Sequence, residues 1–165
     1  VYGPDLFLDV FGNGQDLRLR HYLLGSTPQV LDALETELRR RFPRAQIVGA
    51  ESPPFRTLTE QEIAEQTARL VESTAQVIWV GLGTPKQDWE SARLSEEVPA
   101  VFLAVGAAFD FVAGKKRQAP LWMQRNGLEW LFRLATEPRR LWKRYLFGNA
   151  RFLRASVAEI LTTRE

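Results

Sequence analysis

Cysteine is absent from the 165 residues, and histidine occurs once, at His21. A disulfide framework, a thiolate nucleophile and a cysteine-based zinc site are thereby excluded, and one imidazole cannot build a multi-histidine metal centre. No apolar run approaches the roughly 20 residues that cross a bilayer. The opening Val1-Tyr2-Gly3-Pro4-Asp5 lacks the basic and apolar regions of a secretory signal. It also lacks an initiator methionine, so a fragment or a processed form is expected. No acidic pair of D-x-D type follows a strand, so no metal is expected. What remains is ordinary in bulk: 45% hydrophobic and 25% charged residues, enough for one globular domain and incompatible with wholesale disorder.

The net charge of +2 conceals a segregation. Residues 1–114 carry 10 Lys/Arg against 16 Asp/Glu, whereas residues 115–165 carry 12 against 4. Solubility does not require so steep a gradient. A basic final third calls for an anionic partner: phosphate, a lipid surface or nucleic acid.

Helix and strand signals alternate along the chain. Residues 5–11 read as a short helix and residues 19–24 as a strand ended by Gly25-Ser26-Thr27-Pro28. Thr27 is a helix cap and Pro28 suits a first turn, opening a helix to about Phe42 with Val30, Leu31, Leu34 and Leu38 on one face. Residues 46–49 form a short strand, the prolines of Ser52-Pro53-Pro54-Phe55 enforce a loop, and Thr59 with Glu62 spells a capping box. Residues 76–80 and 100–105 are apolar runs of the kind buried on both faces of a parallel sheet, separated by a helix from about Lys86 to Leu94. The order predicts an open parallel α/β sheet of Rossmann-like type over residues 1–114. From Pro120 the pattern is helical and rich in Trp and Arg, so residues 115–165 are read as a basic helical appendage.

Ligands of such sheets bind beyond the carboxyl ends of the strands. Two loops there carry candidate chemistry. In Gly81-Leu82-Gly83-Thr84-Pro85-Lys86-Gln87-Asp88, the glycines permit close backbone approach and free N–H groups at the helix start could hold a phosphate. The third glycine of a dinucleotide fingerprint is missing, and the spacing is not that of a P-loop. Gln87 is suited to a sugar hydroxyl or a diphosphate. In Val105-Gly106-Ala107-Ala108-Phe109-Asp110, the acid fits a sugar hydroxyl, a base, a helix cap, or a partner for Lys115, Lys116 or Arg117. In the appendage, Arg133, Arg139, Arg140 and Arg144 can engage diphosphate bidentately, while Leu131, Leu134, Leu141 and the tryptophans can face a core or a bilayer.

These stretches together resemble the WecG/TagA/CpsF family, bacterial glycosyltransferases of family 26. The resemblance rests on Gly81-Leu82-Gly83-Thr84-Pro85-Lys86-Gln87-Asp88-Trp89, Val105-Gly106-Ala107-Ala108-Phe109-Asp110-Phe111, Ala113-Gly114, Ala119-Pro120, Gly127-Leu128-Glu129-Trp130-Leu131-Phe132-Arg133-Leu134 and Glu137-Pro138-Arg139-Arg140, and it extends from Gly3 to Phe152. It implies a Rossmann-like core with a helical appendage. The implied activity is inverting transfer of a sugar, such as N-acetylmannosamine or glucuronate, from a UDP-sugar to a polyprenyl-diphosphate-linked glycan. That acceptor lies on the cytoplasmic face of the bacterial membrane, where a peripheral enzyme would serve cell-surface polysaccharide synthesis. Pro53-Pro54-Phe55-Arg56 and Ala107-Ala108 look more like the exopolysaccharide branch. Gly83, Thr84, Gln87 and Asp110, with the four arginines, are then the expected substrate contacts. The expected partners are the UDP-sugar, the lipid-linked acceptor and an anionic membrane surface, with no nucleic acid, no cofactor beyond the donor, and self-association left open.

Asp88 stands where the family usually has Glu, and Gln118 where Arg is common. The family's proposed catalytic base belongs to a segment ahead of Gly3 that is expected to be missing, so the base is unassigned and the chain alone is expected to bind or turn over poorly. Two classes compete: a nucleic-acid-binding or non-catalytic α/β module, and a Rossmann oxidoreductase. The latter is disfavoured by the incomplete glycine fingerprint and by the expected lack of an acid ending the second strand.

Overall fold

The computed structural model describes residues 2–138. The chain divides between Arg117 and Gln118 into two compact units.

In the first unit the elements alternate: α1 (Gly3–Gly14), β1 (Arg20–Gly25), α2 (Pro28–Arg41), β2 (Gln46–Glu51), α3 (Glu60–Glu72), β3 (Val77–Gly81), α4 (Lys86–Ser95), β4 (Val101–Ala104) and α5 (Ala108–Val112). Local signals act as written. Thr27 Oγ1 accepts the Val30 amide at the start of α2. At α3 both halves of the capping box form, with Thr59 Oγ1 accepting from Glu62 N and Glu62 Oε2 accepting from Thr59 N. All four strands are parallel, in the order β2-β1-β3-β4.

The sheet is covered on both faces at its centre. Alternation along β1 and β3 sends Leu23 and Trp79 one way, into a core with Phe7, Phe11, Leu34, Leu38 and Phe109 from α1, α2 and α5. Tyr22, Leu24, Ile78 and Val80 point the other way, against Leu70 of α3 and Leu94 of α4. Phe7 meets Trp79 edge to face, with ring centroids 4.6 Å apart, a favoured aromatic geometry.

Two expectations are corrected. The run at 100–105 is not a buried strand: β4 is an edge strand among the described residues, Val101 is 58% exposed, and Ala104 is exposed as well. An apolar run marks a strand, whereas its place in the order decides how many neighbours cover it. And β2 does not stop at Gly49 but continues to Glu51, so the second strand does end on an acid.

The second unit contains α6 (Leu121–Arg125) and α7 (Glu129–Thr136). Gly127, at φ +68°, makes the turn between them, and Leu128 N closes it on Met123 O. Neither helix has a buried residue; Leu121, Trp122, Trp130 and Leu131 are exposed.

Candidate functional site

Parallel strands place the ends of β1, β2, β3 and β4 on one rim. Chain direction reverses its course across the sheet between β1 and β3, the usual point for a ligand to enter. Here that gap is tied shut. Gly25 and Gly81 lie in register, and a Cβ added to Gly25 would come within 2.6 Å of the Gly81 carbonyl carbon. Gly25 also sits at φ +128°, a conformation glycine adopts without penalty. One residue further, Ser26 N donates to Gly81 O at 3.1 Å, and Ser52 Oγ donates to Ser26 O at 2.7 Å. The sheet thus continues past the strand ends, and the crest available to a ligand shifts toward β3 and β4.

On that side stands the Gly81–Pro85 loop, whose Thr84–Pro85 peptide is cis. Gly83, at φ +77°, faces open space, and Thr84 is exposed. The loop consumes amides that the sequence suggested would be free: Gln87 N bonds Gly83 O at 2.9 Å, and Asp88 N bonds Pro85 O at 3.1 Å. The helix start therefore offers less to an anion than expected.

Gln87 itself is the informative side chain. It is 8% exposed, in the first turn of α4. Its Nε2 donates to Thr84 Oγ1 at 3.4 Å, while the buried Oε1 accepts no hydrogen bond among the described residues. That oxygen lies 3.5 Å from where a Cβ on Gly106 would stand, and Gly106, at φ +54°, has none. The carboxamide is thus held between the loops that leave β3 and β4. An amide oxygen buried without a donor costs about 1–3 kcal/mol, which a ligand hydroxyl or N–H would recover.

The other expected contacts are placed as follows. Asp110, in α5, is partly buried and pairs with Lys116 Nζ at 3.6 Å. Arg133 is on α7, in the second unit, half-buried. Arg139, Arg140, Arg144 and Leu141 lie outside the described residues. The structure therefore brings Gly83, Thr84 and Gln87 into one loop-and-helix crest. Asp110 sits within the short helix that follows Gly106 and already pairs with Lys116.

Two features were missed by sequence reasoning. The Phe109 ring packs under the crest, where a Cβ on Gly81 would collide with it at 2.7 Å. Glu51, the acid that ends β2, is fully engaged. Arg69 grips both its oxygens at 2.9 and 3.1 Å, Gln66 Nε2 donates at 3.2 Å, and Tyr22 Oη donates at 3.3 Å. Burial, with the Glu51 charge next in weight, pushes the Tyr22 hydroxyl up to about 12. A dinucleotide-binding acid has to accept ribose hydroxyls, and this one has no lone pair pointing outward. Its position could have been read from Glu51 preceding Ser52-Pro53-Pro54; its occupation could not.

A depression of about 680 Å³ lies between α2 and α5, lined by Asp32, Thr36, Glu37, Arg41, Phe111 and Gly114 and by none of Gly83, Thr84 and Gln87. Among the described residues, no group of three or more His, Asp or Glu is arranged to hold a metal ion. No helix among them is long and apolar enough to cross a membrane.

Fold and crest together define a Rossmann-like α/β protein with a buried amide, its oxygen without a donor among the described residues, between its third and fourth strand ends. The family model described as Glycosyl transferase WecG/TagA/CpsF family matches residues 1–165, and the chain belongs to that family. It is thus a glycosyltransferase of cell-surface polysaccharide synthesis, a class that takes a sugar-nucleotide donor and a glycan acceptor.

Proposed function

We propose that the chain takes a UDP-sugar as donor and a polyprenyl-diphosphate-linked glycan as acceptor, and transfers the sugar with inversion. One observation carries this reading: the buried, unpaired Gln87 Oε1 between Gly83-Thr84 and Gly106. A sugar or ribose hydroxyl supplies the donor that oxygen lacks, and Thr84 and the open Gly83 turn border the same ligand. In the reaction the acceptor hydroxyl attacks the anomeric carbon, the bond to the UDP oxygen breaks, and the proton passes to a base that we leave unassigned. Asp110 and Arg133, with Arg139, Arg140 and Arg144, are proposed as further substrate contacts, the guanidiniums for diphosphate. The donor is the only small molecule required. Exposed Leu121, Trp122, Trp130 and Leu131, followed by the basic sequence from Arg133 onward, suit the interface of an anionic membrane on its cytoplasmic face.

Titration calorimetry with UDP and with a short RNA tests this reading. UDP is expected to bind, and Gln87→Leu to weaken it about tenfold or more while leaving the fold as stable or stabilised by about 1 kcal/mol, because the orphaned oxygen is gone. Tight RNA binding with no response to UDP would overturn the proposal. Turnover of a UDP-sugar panel with a short-chain lipid-diphosphate acceptor then identifies the sugar.

A further inference from the structure

The loop between β2 and α3 is fixed at both ends and presents an aromatic ring to solvent. At its start, Ser52 Oγ is bonded to Ser26 O at 2.7 Å and Pro53 is buried. At its end, the Arg56 guanidinium forks onto Glu62 at 2.6 and 2.7 Å and donates to Thr57 O at 3.1 Å, and Glu62 closes the capping box of α3. Two successive prolines stiffen the middle. Between these anchors Phe55 is 85% exposed. Across the rim, on the first turn of α4, Trp89 is 71% exposed. The strands they follow, β2 and β3, are separated only by β1, so their ends stand about 10 Å apart. Large apolar rings exposed to water at the rim, one on an anchored loop and one on a helix, match the aromatic anchors of recognition surfaces.

Charge selects among occupants. The one cation on the loop, Arg56, is neutralised by Glu62, and the charges alongside are Glu60, Asp88 and the partly exposed Lys86. One lysine against two exposed carboxylates does not build the cationic surface that an anionic bilayer attracts. The rim suits an uncharged ligand with axial C–H groups on a flat face, which is the surface a pyranose ring offers to an aromatic one.

We propose that Phe55 and Trp89 form the acceptor-side platform of the transferase, stacking on pyranose rings of the acceptor glycan while the donor occupies the Gln87 crest. The acceptor role rests on the glycosyltransferase reading above; the saccharide platform is tested apart from it. Saturation-transfer NMR on the full chain uses cellobiose, chitobiose and maltose as probes, with UDP as a separate ligand. Disaccharide signals are expected in the parent chain, weakened about five- to tenfold in Phe55→Ala and in Trp89→Ala and retained in Phe55→Trp and Trp89→Phe, with UDP signals unchanged throughout. Disaccharide signals that are absent from the parent, or that persist undiminished in both alanine variants, overturn the platform. So does flotation with anionic phosphatidylglycerol vesicles that Phe55→Ala abolishes, which makes the ring a bilayer anchor, and so does a dimer that Phe55→Ala dissociates. A parent silent to UDP but showing Phe55- and Trp89-dependent disaccharide signals overturns the UDP-sugar reading and supports the platform.

Discussion

Acid should destabilise this fold at His21. The imidazole is fully buried in β1, stacked on Phe11 with ring centroids 4.1 Å apart, and surrounded by Trp79, Leu19 and Gly14. Its Nδ1 accepts the indole N–H of Trp79 at 3.3 Å, which places the ring's single proton on Nε2. Protonation would turn Nδ1 into a donor facing another donor, in an apolar pocket. Burial accordingly lowers the pKa from 6.5 to about 4. The folded state therefore binds this proton more weakly than the unfolded state does, and stability rises with pH across the window. The contribution is complete above pH 6.5 and is lost as pH falls toward 4. Two and a half pH units correspond to about 3 kcal/mol in all, of which about 2 kcal/mol is gone by pH 5. Urea midpoints of the parent and of His21→Phe, measured from pH 7.5 to 4, isolate the effect. The variant leaves Trp79 Nε1 without its acceptor but also removes the buried His21 Nε2, which has no partner among the described residues, so the pH-independent change is small, within about 1 kcal/mol. Glu37 and Glu62, which arginine partners hold down at about 2, titrate alike in both proteins and cancel. On acidification the parent should fall below the variant, its curve steeper by up to one proton. Parallel curves between pH 6.5 and 4 would refute the reasoning.

Two further substitutions test the packing that supports the rim. In Gly49→Ala the new methyl would drive into the Tyr22 ring, displacing it from Glu51; a loss of about 2–3 kcal/mol in the urea midpoint is expected, with the high tyrosine pKa returning toward 10 in an ultraviolet titration. Thr59→Ala removes one half of the capping box of α3 and should cost about 1 kcal/mol, seen as faster amide exchange at Glu62 and Ile63 with the core unaffected.

Most of the element order was legible because it depends on local rules. Thr27-Pro28 and Thr59-x-x-Glu62 each specify a helix start whatever surrounds them, and both act as written. The apolar runs identify β3 and β4 as strands with equal force. They cannot rank them, because sheet order is a property of crossovers: the chain leaves β2, passes β1 and lands on its far side, which buries β3 and leaves β4 with one neighbour among the described residues. The end of β2 shows the same limit. Gly49 reads as a stop, yet it is there because Tyr22 needs the space, and the strand carries on to Glu51.

The site follows the same division between residue type and pairing. Gln87 and Glu51 both stand at strand-end loops, and both carry oxygens suited to sugar hydroxyls. On composition the carboxylate is the better acceptor of the two, yet pairing reverses that order. Arg69, Gln66 and Tyr22 take every outward direction from Glu51, so a ligand hydroxyl would have to displace a bidentate guanidinium to reach it. Gln87 has one weak contact, at 3.4 Å, and an oxygen with nothing to accept. A ligand that reaches this oxygen has to shift the side chain or the loops that cover it, giving up at most the 3.4 Å contact to Thr84, and it then supplies a donor to a buried group that has none. A neutral amide in this role also leaves the diphosphate of a nucleotide donor unopposed by negative charge, which a carboxylate at the crest would not. The sequestered acid and the unsatisfied amide are therefore complementary, and together they favour a sugar-nucleotide over a nicotinamide dinucleotide at the rim of this sheet.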